Sequence, residues 1–146
     1  MKEVLFDEEL RKKFLSGAEK IAKIVGSTLG PCGRFVSINE YGSPVITKDG
    51  VSAAKAVELK DPFENTGALL MREISAKTNE TVGDGTTTSL VLGYEMVKEG
   101  YKAVEAGCQP IELKRGIDKM SSIIIEKLRE KSTEVTTQER IRDVAT

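Results

Sequence analysis

The stretch of this 146-residue sequence that most favours chemistry is Gly83-Asp84-Gly85-Thr86-Thr87-Thr88. It precedes an amphipathic segment, and the free N–H groups and dipole of a helix N-terminus attract an anion. The two glycines would let a phosphate approach the backbone, the Asp84 carboxylate would bind Mg²⁺, and the threonine hydroxyls would donate to phosphate oxygens. The alternative is an ordinary helix start with Asp84 or Thr86 as the N-cap.

Two further glycine-bearing turns carry groups that suit a nucleotide. In Thr28-Leu29-Gly30-Pro31-Cys32-Gly33-Arg34, the backbone and the Thr28 hydroxyl could meet the ligand, and a plain helix C-cap is the alternative. In Thr47-Lys48-Asp49-Gly50, Lys48 could neutralise a phosphate and Asp49 could orient a water, and a solvated turn is the alternative. The Walker A pattern does not occur, which excludes a P-loop fold.

Composition excludes several classes of protein. The sequence has no histidine, so it cannot build a Ser-His-Asp triad or a His-ligated zinc site. A net charge of -1 offers no basic field for nucleic acid. Cys32 and Cys108 form no Cys-x-x-Cys pair, and no apolar run resembles a membrane span or a signal peptide. We therefore expect free thiols, a cytoplasmic location, and neither a nucleic acid nor a membrane as partner.

The elements that must position these turns are mainly helices. An apolar stripe predicts a first helix from Glu8 to about Thr28, where Gly30 and Pro31 break it. Its members are Leu10, Phe14, Ala18, Ile21 and Val25.

A small β-hairpin is expected next. Its strands are predicted at residues 35–39 and 45–47, around a turn at Tyr41-Gly42-Ser43-Pro44. Because two strands alone are marginally stable, a third strand should complete the sheet. Val4-Leu5-Phe6 is the candidate, and it could come from another copy of the chain.

Three long helices follow in the pattern. One begins at Pro62 after an Asp61 N-cap and ends near Val82. The next two carry apolar stripes, and Gly107 and Pro110 separate them. These stripes are Leu90, Tyr94, Val97, Tyr101 and Val104, then Leu113, Ile117, Met120, Ile124 and Leu128. The fold class is therefore mainly α, with long, largely antiparallel helices and a small hairpin.

Composition changes after Glu130, where residues 131–137 indicate a hinge. Thr136 and Glu139 form a capping box for one more helix, which has no stop signal before Thr146. We expect that the polypeptide was cut from a longer one just past a domain boundary.

Taken together and in this order, TLGPxGR, TKDG and GDGTTT resemble the ATP site of the chaperonins, the Hsp60/GroEL family. Residues 61–65, 103–107 and 113–119 are also similar to that family, so the resemblance covers essentially the whole chain. Lys48 in TKDG, together with Arg34, favours the group I branch over group II.

The resemblance implies roles for the residues of the three turns. Asp84 would bind Mg²⁺, and Gly85, Thr86, Thr87 and Thr88 would hold the β- and γ-phosphates of ATP. The α-phosphate side, ribose and base would meet Thr28, Leu29, Gly30 and Pro31. Lys48 would contact a phosphate, and Asp49 would act in catalysis on the attacking water.

The family also implies an architecture and partners. Residues 1–131 are similar to the N-terminal half of an equatorial, ATP-binding domain, and residues 132–146 to the start of an intermediate domain. The intact protein would form heptameric homo-oligomeric rings, fold non-native polypeptides with ATP, and bind a co-chaperonin of the Hsp10/GroES type. The first strand and the hairpin would join across subunits.

Two features depart from the family pattern. Cys32 replaces a common lysine, which removes a charge near the polyphosphate. The second catalytic aspartate, the remaining base-binding residues and the apical domain lie beyond residue 146, so we expect this fragment to be inactive alone. A non-catalytic ring-assembly module, or a diverged paralogue without ATPase activity, is the alternative function. An unrelated helical anion-binding domain is a third possibility.

Overall fold

The computed structural model describes residues 4–40 and 43–145. In these residues, six helices and one antiparallel hairpin form a mainly helical fold, which confirms the predicted class. The elements are α1 (Asp7–Gly26), β1 (Val36–Glu40), β2 (Ser43–Thr47), α2 (Gly50–Ala56), α3 (Pro62–Thr81), α4 (Thr86–Glu105), α5 (Pro110–Lys131) and α6 (Gln138–Ala145). The chain divides into two compact units, Met1–Lys102 and Ala103–Thr146.

The core of the first unit lies among α1, α2, α3 and α4. The stripe predicted for α1 turns its later members inward, and Ile21 and Val25 are fully buried. Met71 of α3 and Leu90 of α4 are fully buried in the same cluster. The short helix α2 adds only the small side chains of Ala53 and Ala54. Burial of these apolar side chains is the main favourable term that holds the four helices together.

Two glycines let α1 and α3 approach each other closely. A Cβ atom at Gly17 would collide with the carbonyl oxygen of Glu64. A Cβ atom at Gly67 would collide with the carbonyl oxygen of Phe14. The two helices therefore touch through their backbones. A larger residue at either glycine position would force the helices apart.

Ion pairs flank this crossing. Lys20 Nζ lies 2.5 Å from Glu64 Oε2, and the Ser16 hydroxyl donates to Glu64 Oε1 at 2.9 Å. Lys13 Nζ lies 2.5 Å from Asp61 Oδ2. The pKa of Glu64 is lowered, chiefly by Lys20 and then by Ser16, and the pKa of Asp61 is lowered chiefly by Lys13. Both carboxyls are thus held in their ionised form.

The start of α3 confirms its predicted cap. The Asp61 carboxylate accepts hydrogen bonds from the N–H groups of Phe63 and Glu64, at 2.9 and 3.1 Å. Pro62 is the first helical residue, where its missing N–H costs nothing. At the other end of the helix, the side chains of Thr78 and Ser89 are hydrogen-bonded at 3.0 Å, which ties α3 to α4.

The hairpin differs from the prediction in its turn. β1 and β2 pair along their whole length, so Ser43 and Pro44 lie in β2 and not in the turn. Proline is tolerated there because each strand of a two-stranded sheet has a free edge. The other predicted turn residues, Tyr41 and Gly42, lie outside the described residues.

The predicted third strand is not formed within this chain. Residues 4–6 adopt no strand, and Phe6 is the N-cap residue of α1. Its φ of -126° and ψ of 155° are nonetheless extended. Pairing of this segment with another copy stays a prediction.

Helix α2 was not predicted from the sequence. Its seven residues begin at Gly50, directly after Asp49, whose carboxylate accepts from the N–H groups of Val51 and Ser52. The Asp-Gly pair suggested a turn, whereas the structure uses this aspartate as an N-cap. The loop after β2 therefore leads directly into a helix.

In the second unit, α5 and α6 follow the last residues of α4. Gly107 has a φ of 95°, and Pro110 opens α5, both as predicted. No residue of α5 is buried, so its apolar stripe is exposed or half-exposed in this chain. The cap of α6 is one residue later than predicted, because the Thr137 hydroxyl, not that of Thr136, accepts from the N–H of Arg140 at 3.4 Å.

No helix in the described part of the chain has the length and apolarity needed to cross a membrane.

Candidate functional site

Two of the three predicted turns line one depression of about 160 Å³. Its walls are residues 28–30, after α1, and residues 84–88, at the start of α4. We call this depression the cradle. Pockets for drug-sized molecules measure roughly 300–1,000 Å³. The cradle alone therefore fits a small polar group and not a whole nucleotide.

The start of α4 leaves its first N–H groups open. Gly85 occupies the N-cap position, and its carbonyl accepts the N–H of Ser89 at 2.8 Å. In the described residues, no atom accepts a hydrogen bond from the N–H groups of Thr86, Thr87 and Thr88. Gly85 precedes the first residue of α4, so neither the Asp84 nor the Thr86 side chain caps this helix. Open donors and the helix dipole at one point are the arrangement that attracts an anion.

The backbone conformation at the start of α4 requires glycine at two positions. Gly83 has a φ of 77° and Gly85 a φ of 74°, in the left-handed region that other residues rarely adopt. A Cβ atom at either position would meet nothing within 4 Å, so space is not the constraint. Gly30, on the opposite wall, has the same character, with a φ of 74°.

Asp84 is the carboxylate among the residues that line the cradle. It is exposed, and its Oδ1 accepts from the N–H of Gly85 at 2.7 Å. Its Oδ2 has no partner among the described residues. In that part of the chain, no group of three or more His, Cys, Asp or Glu residues could hold a metal ion. A magnesium ion here would take one protein carboxylate and complete its shell with ligand oxygens and water, which is the manner Mg²⁺ prefers.

The Thr28 turn is both a wall of the cradle and the end of α1. Thr28 is 6% exposed, and its hydroxyl donates to the carbonyl of Val25 at 2.7 Å. Because the hydroxyl proton is already used in this hydrogen bond, the Thr28 hydroxyl could contact a ligand only as an acceptor. The N–H of Gly33 donates to the carbonyl of Gly30 at 3.0 Å, which closes the loop.

Two residues of the same turn lie outside the lining of the cradle. Pro31 and Cys32 are both exposed, and neither belongs to its walls. The Cys32 thiol is free. The residue at position 32 therefore does not shape the walls of the cradle.

The third turn carries Lys48 and Asp49, which also stand outside the lining. Lys48 is exposed and makes no hydrogen bond or ion pair within residues 4–40 and 43–145. The Asp49 carboxylate accepts from the Ser52 hydroxyl at 2.6 Å and N–H at 2.8 Å, and from the N–H of Val51 at 3.3 Å. These bonds lower the pKa of Asp49, with the Ser52 hydroxyl as the largest cause. A carboxylate has about four lone-pair sites, so one remains for a further donor.

Gly50 connects this turn to the cradle. A Cβ atom on Gly50 would collide with Oγ1 of Thr87, one of the residues that line the cradle. The structure therefore brings the three turns to one region, although Asp49 faces its own helix. Gly50 was named from the sequence only as part of a turn, and its contact with Thr87 was not predicted. Ser52 was not named, although the Asp-x-x-Ser spacing from Asp49 was an available signal for it.

The chain is similar to known proteins over most of its length. Residues 21–146 match the TCP-1/cpn60 chaperonin family. The chain is 47% identical over 146 residues to "Chaperonin CPN60, mitochondrial" of Euglena gracilis, an alignment that covers 99% of this chain and 26% of that protein. The chain thus spans about a quarter of the length of this relative.

The relative is a mitochondrial protein, and this finding contradicts the predicted cytoplasmic location. The prediction depended on free thiols and on the lack of apolar segments in the sequence. Free thiols are compatible with any reducing compartment, so they do not identify the cytoplasm.

Proposed function

Because the chain belongs to the TCP-1/cpn60 chaperonin family, we propose that the intact protein is an ATP-hydrolysing chaperonin subunit. The resemblance to group I chaperonins drawn from the sequence motifs is confirmed. The intact subunits would form homo-oligomeric rings of seven, fold non-native polypeptides and bind a co-chaperonin of the Hsp10/GroES type.

The proposal includes the division of this segment between two domains. Residues 1–131 would belong to the equatorial domain and residues 132–146 to the start of the intermediate domain. In support, α5 ends at Lys131, and Ser132 is extended, with a φ of -73° and a ψ of 145°. A change from helix to extended backbone suits a hinge between domains.

The open N-terminus of α4 beside Asp84 is the observation that carries this proposal. Its N–H groups and the three threonine hydroxyls would hold the β- and γ-phosphates, with Asp84 as the Mg²⁺ ligand. The α-phosphate side, the ribose and the base would contact Thr28, Leu29, Gly30 and Pro31, of which the first three line the opposite wall of the cradle. Lys48 is exposed and unpaired within the described residues, so it is available for a phosphate.

Catalysis would consist of positioning and charge stabilisation, with no covalent intermediate. Bound Mg²⁺ would neutralise charge on the phosphate oxygens. Asp49 is kept ionised by its lowered pKa and retains an acceptor site, so it can orient the attacking water.

The test is a single substitution in the intact protein. Asp84→Asn keeps the size of the side chain but removes the charge that binds the metal. We expect wild-type protein to bind and hydrolyse Mg-ATP, and Asp84→Asn to lose about tenfold or more in Mg²⁺-dependent affinity and turnover. Calorimetry and a phosphate-release assay would measure the two quantities. Asp7→Asn is the matched control, because the Asp7 side chain is 93% exposed and lies outside the cradle lining.

These measurements, together with assays of ring assembly and of client refolding, separate the alternative functions. If intact protein binds no nucleotide but still assembles, it is a ring-assembly module and the ATPase proposal is wrong. If it binds nucleotide without refolding any client, an unrelated anion-binding domain becomes the better description. Equal affinity and turnover in Asp84→Asn and wild type would reject the role given to Asp84.

A further inference from the structure

Gly50 lies where three helices of the first unit meet. It is the first residue of α2, and it is buried. The direction in which its Cβ atom would point is filled by Oγ1 and Cβ of Thr87, the latter 3.2 Å away, and by Cγ1 of Val25 at 3.4 Å. Only a hydrogen atom fits between the first turn of α2 and the first turn of α4.

The two helices that meet at this contact are not equally anchored. α4 has 20 residues and is held by the fully buried Leu90 and by the hydrogen bond between Ser89 and Thr78. α2 has seven residues and buries only two alanines besides Gly50. An added methyl group at Gly50 would therefore displace α2 before it displaces the start of α4.

The residue that α2 would carry with it is its N-cap, Asp49. The Asp49 carboxylate is bonded to Ser52 and Val51 of the same helix, so it moves as part of α2. We infer that Gly50 is a positioning residue, which sets the distance between the Asp49 carboxylate and the cradle by seating α2 against the Thr87 hydroxyl. This inference rests on the proposed function, because Asp49 matters only if the cradle holds a reacting phosphate.

The test compares Gly50→Ala with wild type in the intact protein. A displaced Asp49 should lower kcat by about 10- to 100-fold. The Kd for Mg-ATP should stay within about threefold, because the start of α4 keeps its place. A merely structural defect would lower kcat and the affinity for Mg-ATP in proportion. Gly116→Ala is the matched control, since Gly116 is also helical and nothing lies within 4 Å of its Cβ direction.

A second substitution tests whether the effect passes through Thr87. Serine lacks the γ-methyl that restricts the rotamer of threonine, so its hydroxyl can turn away from the methyl group added at position 50. We expect the double variant Gly50→Ala, Thr87→Ser to hydrolyse ATP at the rate of Thr87→Ser alone. If Gly50→Ala by itself does not fold, the comparison of the double variant with Thr87→Ser still tests the inference.

Three results would overturn the inference. The first is a wild-type kcat in Gly50→Ala. The second is a loss of affinity for Mg-ATP in Gly50→Ala that is proportional to its loss of turnover. The third is a double variant, Gly50→Ala with Thr87→Ser, that neither folds nor recovers the rate of Thr87→Ser. Each presupposes that wild-type protein hydrolyses Mg-ATP. Failure of the wild type to do so would instead reject the proposed function.

Discussion

Asp49 shows at the scale of one residue how a structural role and a proposed chemical role can share a carboxylate. Its hydrogen bonds to Val51 and Ser52 cap α2, and they also lower its pKa. The sequence indicated a charged group beside a glycine, and it did not indicate that this group begins a helix. A substitution at Asp49 must therefore separate the loss of the cap from the loss of charge.

We predict different outcomes for Asp49→Asn and Asp49→Ala in the intact protein. Asparagine is a good N-cap, so Asp49→Asn should keep stability and nucleotide affinity while turnover falls by about 100-fold or more. Asp49→Ala should in addition lose about 1 kcal/mol of stability with the cap. Thermal melting and steady-state kinetics measure the two effects. If Asp49→Asn hydrolyses ATP at the wild-type rate, Asp49 has no role in catalysis.

The glycines in and directly beside the cradle could be recognised from the local sequence. Gly83, Gly85 and Gly30 punctuate the sequence beside helix ends, and all three have a positive φ in the structure. Gly50 belongs to a different class, because its φ is ordinary and its constraint is a neighbour 37 positions away, Thr87. No local pattern reports such a contact.

At the scale of helices and strands, local signals predicted most of the structure. The bounds of α1, α3, α4 and α5 follow from apolar stripes, proline at the first position and glycine at the end, all of which are short-range features. α2 was missed because seven residues cannot show a clear helical period. The turn of the hairpin was misplaced because Ser43 and Pro44 are common turn residues that here lie in a strand.

The crossing of α1 and α3 should make the first unit sensitive to acid. The lowered pKa values of Glu64 and Asp61 stabilise the folded state fully above their ordinary values of 4.5 and 3.8. This contribution is lost as the pH falls below those values, because protonation breaks the bonds to Lys20 and Lys13. We expect the urea midpoint, followed by far-UV circular dichroism, to fall between about pH 5 and pH 2.

A matched variant isolates this effect. Glu64→Gln cannot ionise, so it should begin with a lower midpoint at neutral pH and decline less steeply as the pH falls. Glu99→Gln is the control, because Glu99 also has a lowered pKa but pairs with Lys102 of its own helix. Parallel pH profiles for wild type and Glu64→Gln would show that this ion pair does not contribute to stability.

At the scale of the molecule, the sequence predicted that three turns form one site, and it did not predict how these turns would meet. Three motifs in the order of one family were enough to expect a shared site. Their convergence depends on long-range packing of α1, α2 and α4 around Val25 and Leu90, which no single segment encodes. The cradle is also smaller than the roughly 300–1,000 Å³ of pockets that hold drug-sized molecules.

The most direct test of this account is peptide-level hydrogen exchange on the intact protein with and without Mg-ATP. The N–H groups of residues 86–88 have no protein acceptor in the described part of the chain, so bound phosphate should slow their exchange, by about 100-fold at 100 times the Kd. The start of α5 also has no side-chain cap, and its peptide at 109–116 should not change. Unchanged exchange at 83–90 in nucleotide-saturated protein would contradict the account.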